Sequence, residues 1–179
     1  MARPIMTWLD SNQEPISSLS FLKNNEAVTV NTESDHVQFY IANNFTKGVD
    51  ATDGVYAATK CKLKIFARDG SSINPLGEGE ELLIKEKWFN AKCLTDVDQT
   101  EFTELGGEDP DAQVVLSVTA GDPVNTECIM GTANDGNLDG TAQYNAALIE
   151  AFIKPIEDTA AEGGNHDFTL VLSYSYGTV

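Results

Sequence analysis

The chain has 179 residues, 28 acidic against 11 basic, for a formal charge of -17. A charge of that sign and size repels nucleic acid and anionic membrane surfaces, and no stretch approaches the ~18 consecutive apolar residues of a membrane-spanning helix. The length suits one domain spanning residues 1–179, with a core that removes roughly two thirds of the unfolded surface from water.

The first residues, Met1 to Asp10, lack the apolar stretch of a signal peptide, which leads us to expect synthesis in the cytoplasm. Trp8-Leu9 runs into the turn-forming cluster Asp10-Ser11-Asn12-Gln13, and Ile16, Leu19, Phe21 and Leu22 follow, the pattern of a first hairpin or edge strand. Glu26 to Val30 is β-prone. In His36 to Asn44, Val37, Phe39 and Ile41 alternate with polar neighbours, predicting a strand that Asn43-Asn44 closes.

Val55 to Arg68 is the longest predicted strand. Its inward set is Val55, Ala57, Cys61, Leu63 and Ile65, and its outward set Lys60, Lys62 and Lys64. A turn at Asp69 to Ser72 leads to a further predicted strand, with Leu82, Ile84 and Trp88 on one side and Lys85 and Lys87 on the other. Asp96 to Asp111 reads as an acidic loop around the short piece Phe102 to Leu105, and Gln113 to Thr119 as a strand.

Thr141 to Lys154 fits two patterns. Its composition favours helix, whereas its position before Pro155 and a polar loop favours a strand buried on both faces; strand is the reading adopted. The chain then reaches its strongest β signal, Asp167 to Gly177, where Phe168, Leu170, Leu172, Tyr174 and Tyr176 share one side. That strand is expected inside a sheet, antiparallel to the segment before it. Seven or more short strands between turn signals predict an all-β, antiparallel β-sandwich with long acidic loops and room for one short helix.

Few residues suggest chemistry. Cys61, Cys93 and Cys128 are odd in number and widely spaced, the pattern of reduced thiols rather than of a disulfide framework or zinc site. Asp135, Asn137 and Asp139 resemble the first half of a calcium loop, but Ala146 stands where a closing bidentate glutamate belongs, so a plain Asx and glycine turn is the leading reading. His36 and His166 have no neighbour at ligand or nucleophile spacing. With no phosphate loop or nucleophile elbow either, the chain reads as a non-enzyme without a cofactor.

The charge is unevenly distributed. From Cys93 to Ile153 there are twelve carboxylates and no lysine or arginine, whereas Lys60, Lys62, Lys64, Lys85 and Lys87 fall on two predicted strands. Those lysines either solubilise a sheet face or meet acidic loops of another copy in an assembly.

W-L-D-S-N near the start, F-Y-I-A-N-N, and the closing I-K-P-I-E-D-T-A-A-E-G-G-x-x-D-F-T-L-V-L-S-Y-S-Y together resemble tailed-bacteriophage and prophage virion proteins built on an immunoglobulin-like sandwich. Trp8, Asn43, Asn44, Pro155, Ala160, Gly163, Phe168 and Tyr174 stand at the recurring positions. The resemblance covers the two ends, about a third of the chain, and leaves Thr95 to Thr141 without a counterpart. It implies a structural protein of the virion, on the tail baseplate or the capsid surface, in contact with other virion proteins and present in many copies. A carbohydrate-binding or host-attachment module is the alternative.

Overall fold

The computed structural model describes residues 2–67, 83–84, 86–106, 112–118, 127–156 and 167–177. Among the described residues nine strands form two antiparallel sheets: β1 (Met6–Asp10), β2 (Val37–Asn43), β3 (Ala58–Ala67), β4 (Phe89–Cys93), β5 (Thr103–Leu105), β6 (Val114–Val115), β7 (Cys128–Ile129), β8 (Ala146–Ile153) and β9 (Phe168–Ser175). The first sheet has the order β1-β2-β8-β4-β5. In the second, β3 pairs β9 along one edge and the short β6 and β7 in tandem along the other, since Thr59 faces both Ser175 and Cys128, and Leu63 both Leu172 and Val114. The all-β sandwich expected from the turn spacing is the fold observed.

Period-two patterning decides which side chains enter the core. Phe39 and Ile41 on β2, Ala147, Ile149 and Ala151 on β8, and Phe89, Ala91 and Cys93 on β4 turn the same way and are fully buried. Cys61, Leu63 and Ile65 on β3 meet them from the other sheet. Phe168, Leu170 and Leu172 on β9 are partly buried against the same core.

The sheets are joined differently at their two ends. At one, Phe89 of β4 and Phe168 of β9 have ring centroids 5.4 Å apart, and Phe21 packs on both at 5.3 and 5.9 Å. At the other, buried amides do the joining. Asn43 Oδ1 accepts the Ile5 N–H at 2.9 Å, while its Nδ2 donates to the carbonyls of Tyr56 and Ile129 at 3.0 and 3.4 Å. Asn145 Nδ2 donates to the carbonyls of Asn43 and Thr132, and its Oδ1 accepts the Thr132 hydroxyl at 2.6 Å. Gly131 is required here: a Cβ would come within 2.6 to 2.9 Å of Val55 and Asn43 Nδ2.

Several expectations are corrected. Residues 83–84 and 86–88 do not lie in a strand. Leu83 and Ile84 are adjacent and both buried, which alternation forbids, and they lie in a turn closed by bonds from Lys87 N–H to Ile84 O and Trp88 N–H to Leu83 O, with Lys87 at φ 55°. The strand there is β4, which starts after Trp88. Ala58, not Ala57, enters the core, because a bulge between Thr59 and Lys62, with Lys60 at φ 54°, reverses the side-chain phase. Glu26 to Val30 forms no strand; Asn24 and Asn25, both left-handed, close a tight turn between Lys23 and Glu26 just before it.

The two final elements exchange roles relative to expectation. The ambiguous Thr141 to Lys154 segment supplies β8, the middle of the five-stranded sheet, flanked by β2 and β4. The closing strand β9 does not pair β8. It crosses to the other sheet, pairs β3, and among the described residues has no strand on its second edge.

Asn43→Ala should orphan one backbone donor and two acceptors in the core. The expected loss is about 3 kcal/mol of unfolding free energy, read as a lower urea midpoint at unchanged slope. A loss under ~0.5 kcal/mol would show that these bonds do not hold the sandwich end together.

Candidate functional site

The Asp135 loop is organised by its own backbone. Asn134 Oδ1 accepts the Gly136 N–H, Asp135 Oδ1 the Asn137 N–H at 3.1 Å, and Asn137 Oδ1 the Asp139 N–H at 2.9 Å. These are successive Asx turns, so Asp135 Oδ1 and Asn137 Oδ1, from two of the three residues read as half a calcium loop, each accept a backbone N–H, while Asp139 takes part through its own N–H. The Thr141 hydroxyl accepts the Asp135 N–H, and its hydrogen bond to the Asp135 carboxyl holds that group below the usual carboxylate range. Among the described residues no group of three or more His, Cys, Asp or Glu is placed to hold a metal ion.

His36 has a context that sequence spacing could not show, because its neighbours come from distant strands. Its Nδ1 lies 2.5 Å from Glu150 Oε1 on β8, its Nε2 3.9 Å from Glu33, and its ring stacks on Phe152 at 4.6 Å. Phe102 packs edge-on against both rings, and Lys92 Nζ stands 4.6 Å above the Phe102 ring. The hydrogen bond from His36 is the main cause of the lowered Glu150 pKa. Lys154 pairs with Glu33 at 3.1 Å, extending the network along the outer face of the five-stranded sheet. This is a half-exposed ionic and aromatic patch. His166 lies outside the described residues.

The lysines divide. Lys62 and Lys64 alternate with the buried Cys61, Leu63 and Ile65, so they lie on the outer face of β3. Their cross-strand neighbours on β9 are Ser173 and Val171. Because β3 has strands on both sides, these lysines stand in mid-sheet and protect no edge. Lys60 is exposed on the bulge, and Lys87 sits in the turn before β4. Lys85 lies outside the described residues. Of the five lysines, Lys60, Lys62 and Lys64 stand on β3, and Lys87 is in a turn rather than on a second strand.

Beside the β9 edge is a cavity of about 370 Å³, lined by Trp8 of β1, by Ile16 and Leu19, and by Phe168 and Leu170 of β9, among others. It opens between the edge strands of the two sheets. Farther along β9, Tyr174 and Tyr176 are exposed, with ring centroids 6.3 Å apart. Of the five residues the sequence pattern places on one side, Phe168, Leu170, Leu172, Tyr174 and Tyr176, the first two line this cavity.

All three cysteines are free and buried. Burial raises each thiol, and Cys61, with Cys128 as an added repulsive neighbour, is pushed up to about 12. No known family model and no curated protein matches this chain.

A folded-state pKa above the unfolded value means the neutral thiol is favoured by folding. The resulting stability is complete below the ordinary thiol value of 9.0 and is lost as pH rises towards about 12. Iodoacetamide at pH 8 should accordingly leave the native chain unmodified over hours and label all three cysteines in urea, as read by intact mass. Rapid labelling of the native chain would contradict the burial described.

Proposed function

We propose that this chain is a non-enzymatic structural protein of a tailed-phage or prophage particle, carried on the tail baseplate or the capsid surface, and that it works by protein–protein assembly. On this reading it is made in the bacterial cytoplasm and resides in the virion. Strand order supports the immunoglobulin-like part of the resemblance. The run β1-β2-β8-β4 opposite β3-β9 follows the A-B-E-D against C-F order of an immunoglobulin sandwich, with β5, β6 and β7 inserted between its fourth and fifth strands. Fold alone is an analogy and selects no activity.

The observation that carries the assembly reading is the position of the exposed Lys60 and the outward Lys62 on β3, on a chain of charge -17. A basic face on so acidic a molecule complements the twelve-carboxylate stretch, whether on another copy or on an acidic partner. The alternative, a carbohydrate-binding or host-attachment module, calls for exposed aromatics beside a cation loop. Tyr174 and Tyr176 are exposed, but Asp135 Oδ1 and Asn137 Oδ1 are engaged with backbone amides, which leaves that reading second.

Native particles purified from the producing cell should contain the protein by mass spectrometry, with electron microscopy placing it at the tail tip or on capsomers. Its absence from every particle would end the virion reading. Lys62→Glu with Lys64→Glu should reduce incorporation several-fold at low salt, and the difference from wild type should shrink as salt screens the contact. Normal incorporation would remove the lysine face from the account while leaving the particle reading standing.

A further inference from the structure

We propose that the cavity between β1 and β9 is a binding site for a neutral hexopyranose, a single six-membered sugar ring without formal charge. Its lining divides by chemistry. Trp8 and Phe168 are half-buried, whereas Ser17, Ser18 and Asp167, which line it too, are exposed. The apolar part therefore lies deeper and the polar part nearer to water. A sugar ring is divided in the same way, with C–H groups on its faces and hydroxyls around its edge, so an apolar wall with a few polar groups beside it suits both.

The two aromatic walls are fixed before any ligand arrives. The Trp8 ring stacks on Phe39, with centroids 5.8 Å apart and planes 17° from parallel. The Phe168 ring packs on Phe21 and Phe89 at 5.9 and 5.4 Å. Rings already held in one orientation lose little freedom on binding, and a flat aromatic surface matches the C–H face of a pyranose. The segment that carries Ser17 and Ser18 is tied to the same strand as the indole, since the Ile16 N–H donates to the Trp8 carbonyl at 2.9 Å. Aromatic wall and hydroxyls are thus held in one arrangement.

Size and charge narrow the ligand. At about 370 Å³ the cavity is at the small end of ligand sites and admits one hexose ring with a few waters. Anions are disfavoured by Asp167 in the lining and by the charge of -17. A wholly apolar guest would strip water from Ser17 and Ser18 and return no hydrogen bond. Both serine hydroxyls can donate as well as accept, which a sugar hydroxyl uses and a quaternary ammonium does not. Asp167 and Thr169 already interact within the molecule, so the site is argued from the rings and the serines. It needs no cation loop, unlike the attachment reading above. Binding is measured on the isolated chain, so it can fail while the particle reading stands, and the reverse.

Proton–nitrogen correlation spectra of the full chain, titrated separately with D-glucose, D-galactose, D-mannose and N-acetyl-D-glucosamine to ~100 mM, are the test. The set varies the substituents around the ring, so failure of all of them counts against the class. Saturable shifts centred on Trp8, Ser17, Ser18 and Phe168 are expected with at least one sugar, at a dissociation constant on the order of 1–10 mM. No saturable shift there, or shifts that glycerol or choline reproduces at equal concentration, overturns the proposal. Trp8→Ala should weaken binding more than about tenfold. Because Trp8 also packs on Phe39, Ser18→Trp at an exposed position is the second variant: it should fill the mouth of the cavity and abolish the shifts at unchanged circular dichroism. Binding that survives either folded variant refutes the site.

Discussion

Asn43 and Asn145 are completely buried, and a buried amide without partners costs more than most single contacts in a core can offset. Their neighbours meet this demand from distant parts of the chain: Ile5 before β1, Tyr56 before β3, Ile129 on β7 and Thr132 after it. Apolar packing would tolerate small shifts of one sheet over the other, but directional bonds to fixed carbonyls do not. The amides thus set the register of one end of the sandwich, and Gly131 keeps room for them. Asn44 extends the same network through Asp53 and Thr132, and Asn134 returns a bond to Asn44. With that end held by polar groups, the phenylalanine cluster at the other end can be wholly apolar.

Between these ends, the bulge at Lys60 decides how charge is presented. An uninterrupted strand would carry one phase from Ala58 onward and bury the wrong set. One extra residue, in a left-handed conformation, lets Ala58 and Cys61 both face the core while Lys62 and Lys64 face out. The cost of a lysine at positive φ is modest, and the turn also presents the Cys61 N–H and carbonyl to Glu127 and Leu116. The basic face proposed for assembly is therefore a consequence of the same irregularity that allows β6 and β7 to share one edge of β3.

The sandwich contrasts two outer faces. On the five-stranded sheet, His36, Glu150, Glu33 and Lys154 pair with one another, and Phe102 and Phe152 fill the space between them, so charges there are largely answered within the molecule. On the other sheet, lysines stand beside the small and apolar Ser173 and Val171, next to an uncharged edge.

Alternation along His36 to Asn44, along Cys61 to Ile65 and along Phe168 to Leu172 made the β class and much of the core legible, because a period of two is a local property of an extended chain. Asx turns at Asp10 and Asp135 were legible for the same reason: they close within a few residues. Other features were not local. Ala146 to Ile153 is apolar on both faces, so only the presence of β2 and β4 on either side selects strand over helix. The His36–Glu150 pair, 114 residues apart, and the amide partners of Asn43 depend on which strands become neighbours. The strongest β pattern in the chain pairs β3 rather than the segment before it, since periodicity reports how a strand's own faces differ and carries no information about what lies beside it. Composition and patterning by themselves determined an acidic, all-β chain with these inward faces; strand order, the amide-linked end and the pairing of β9 with β3 were decided by tertiary structure, where long-range hydrogen bonds choose among pairings that local sequence leaves equivalent.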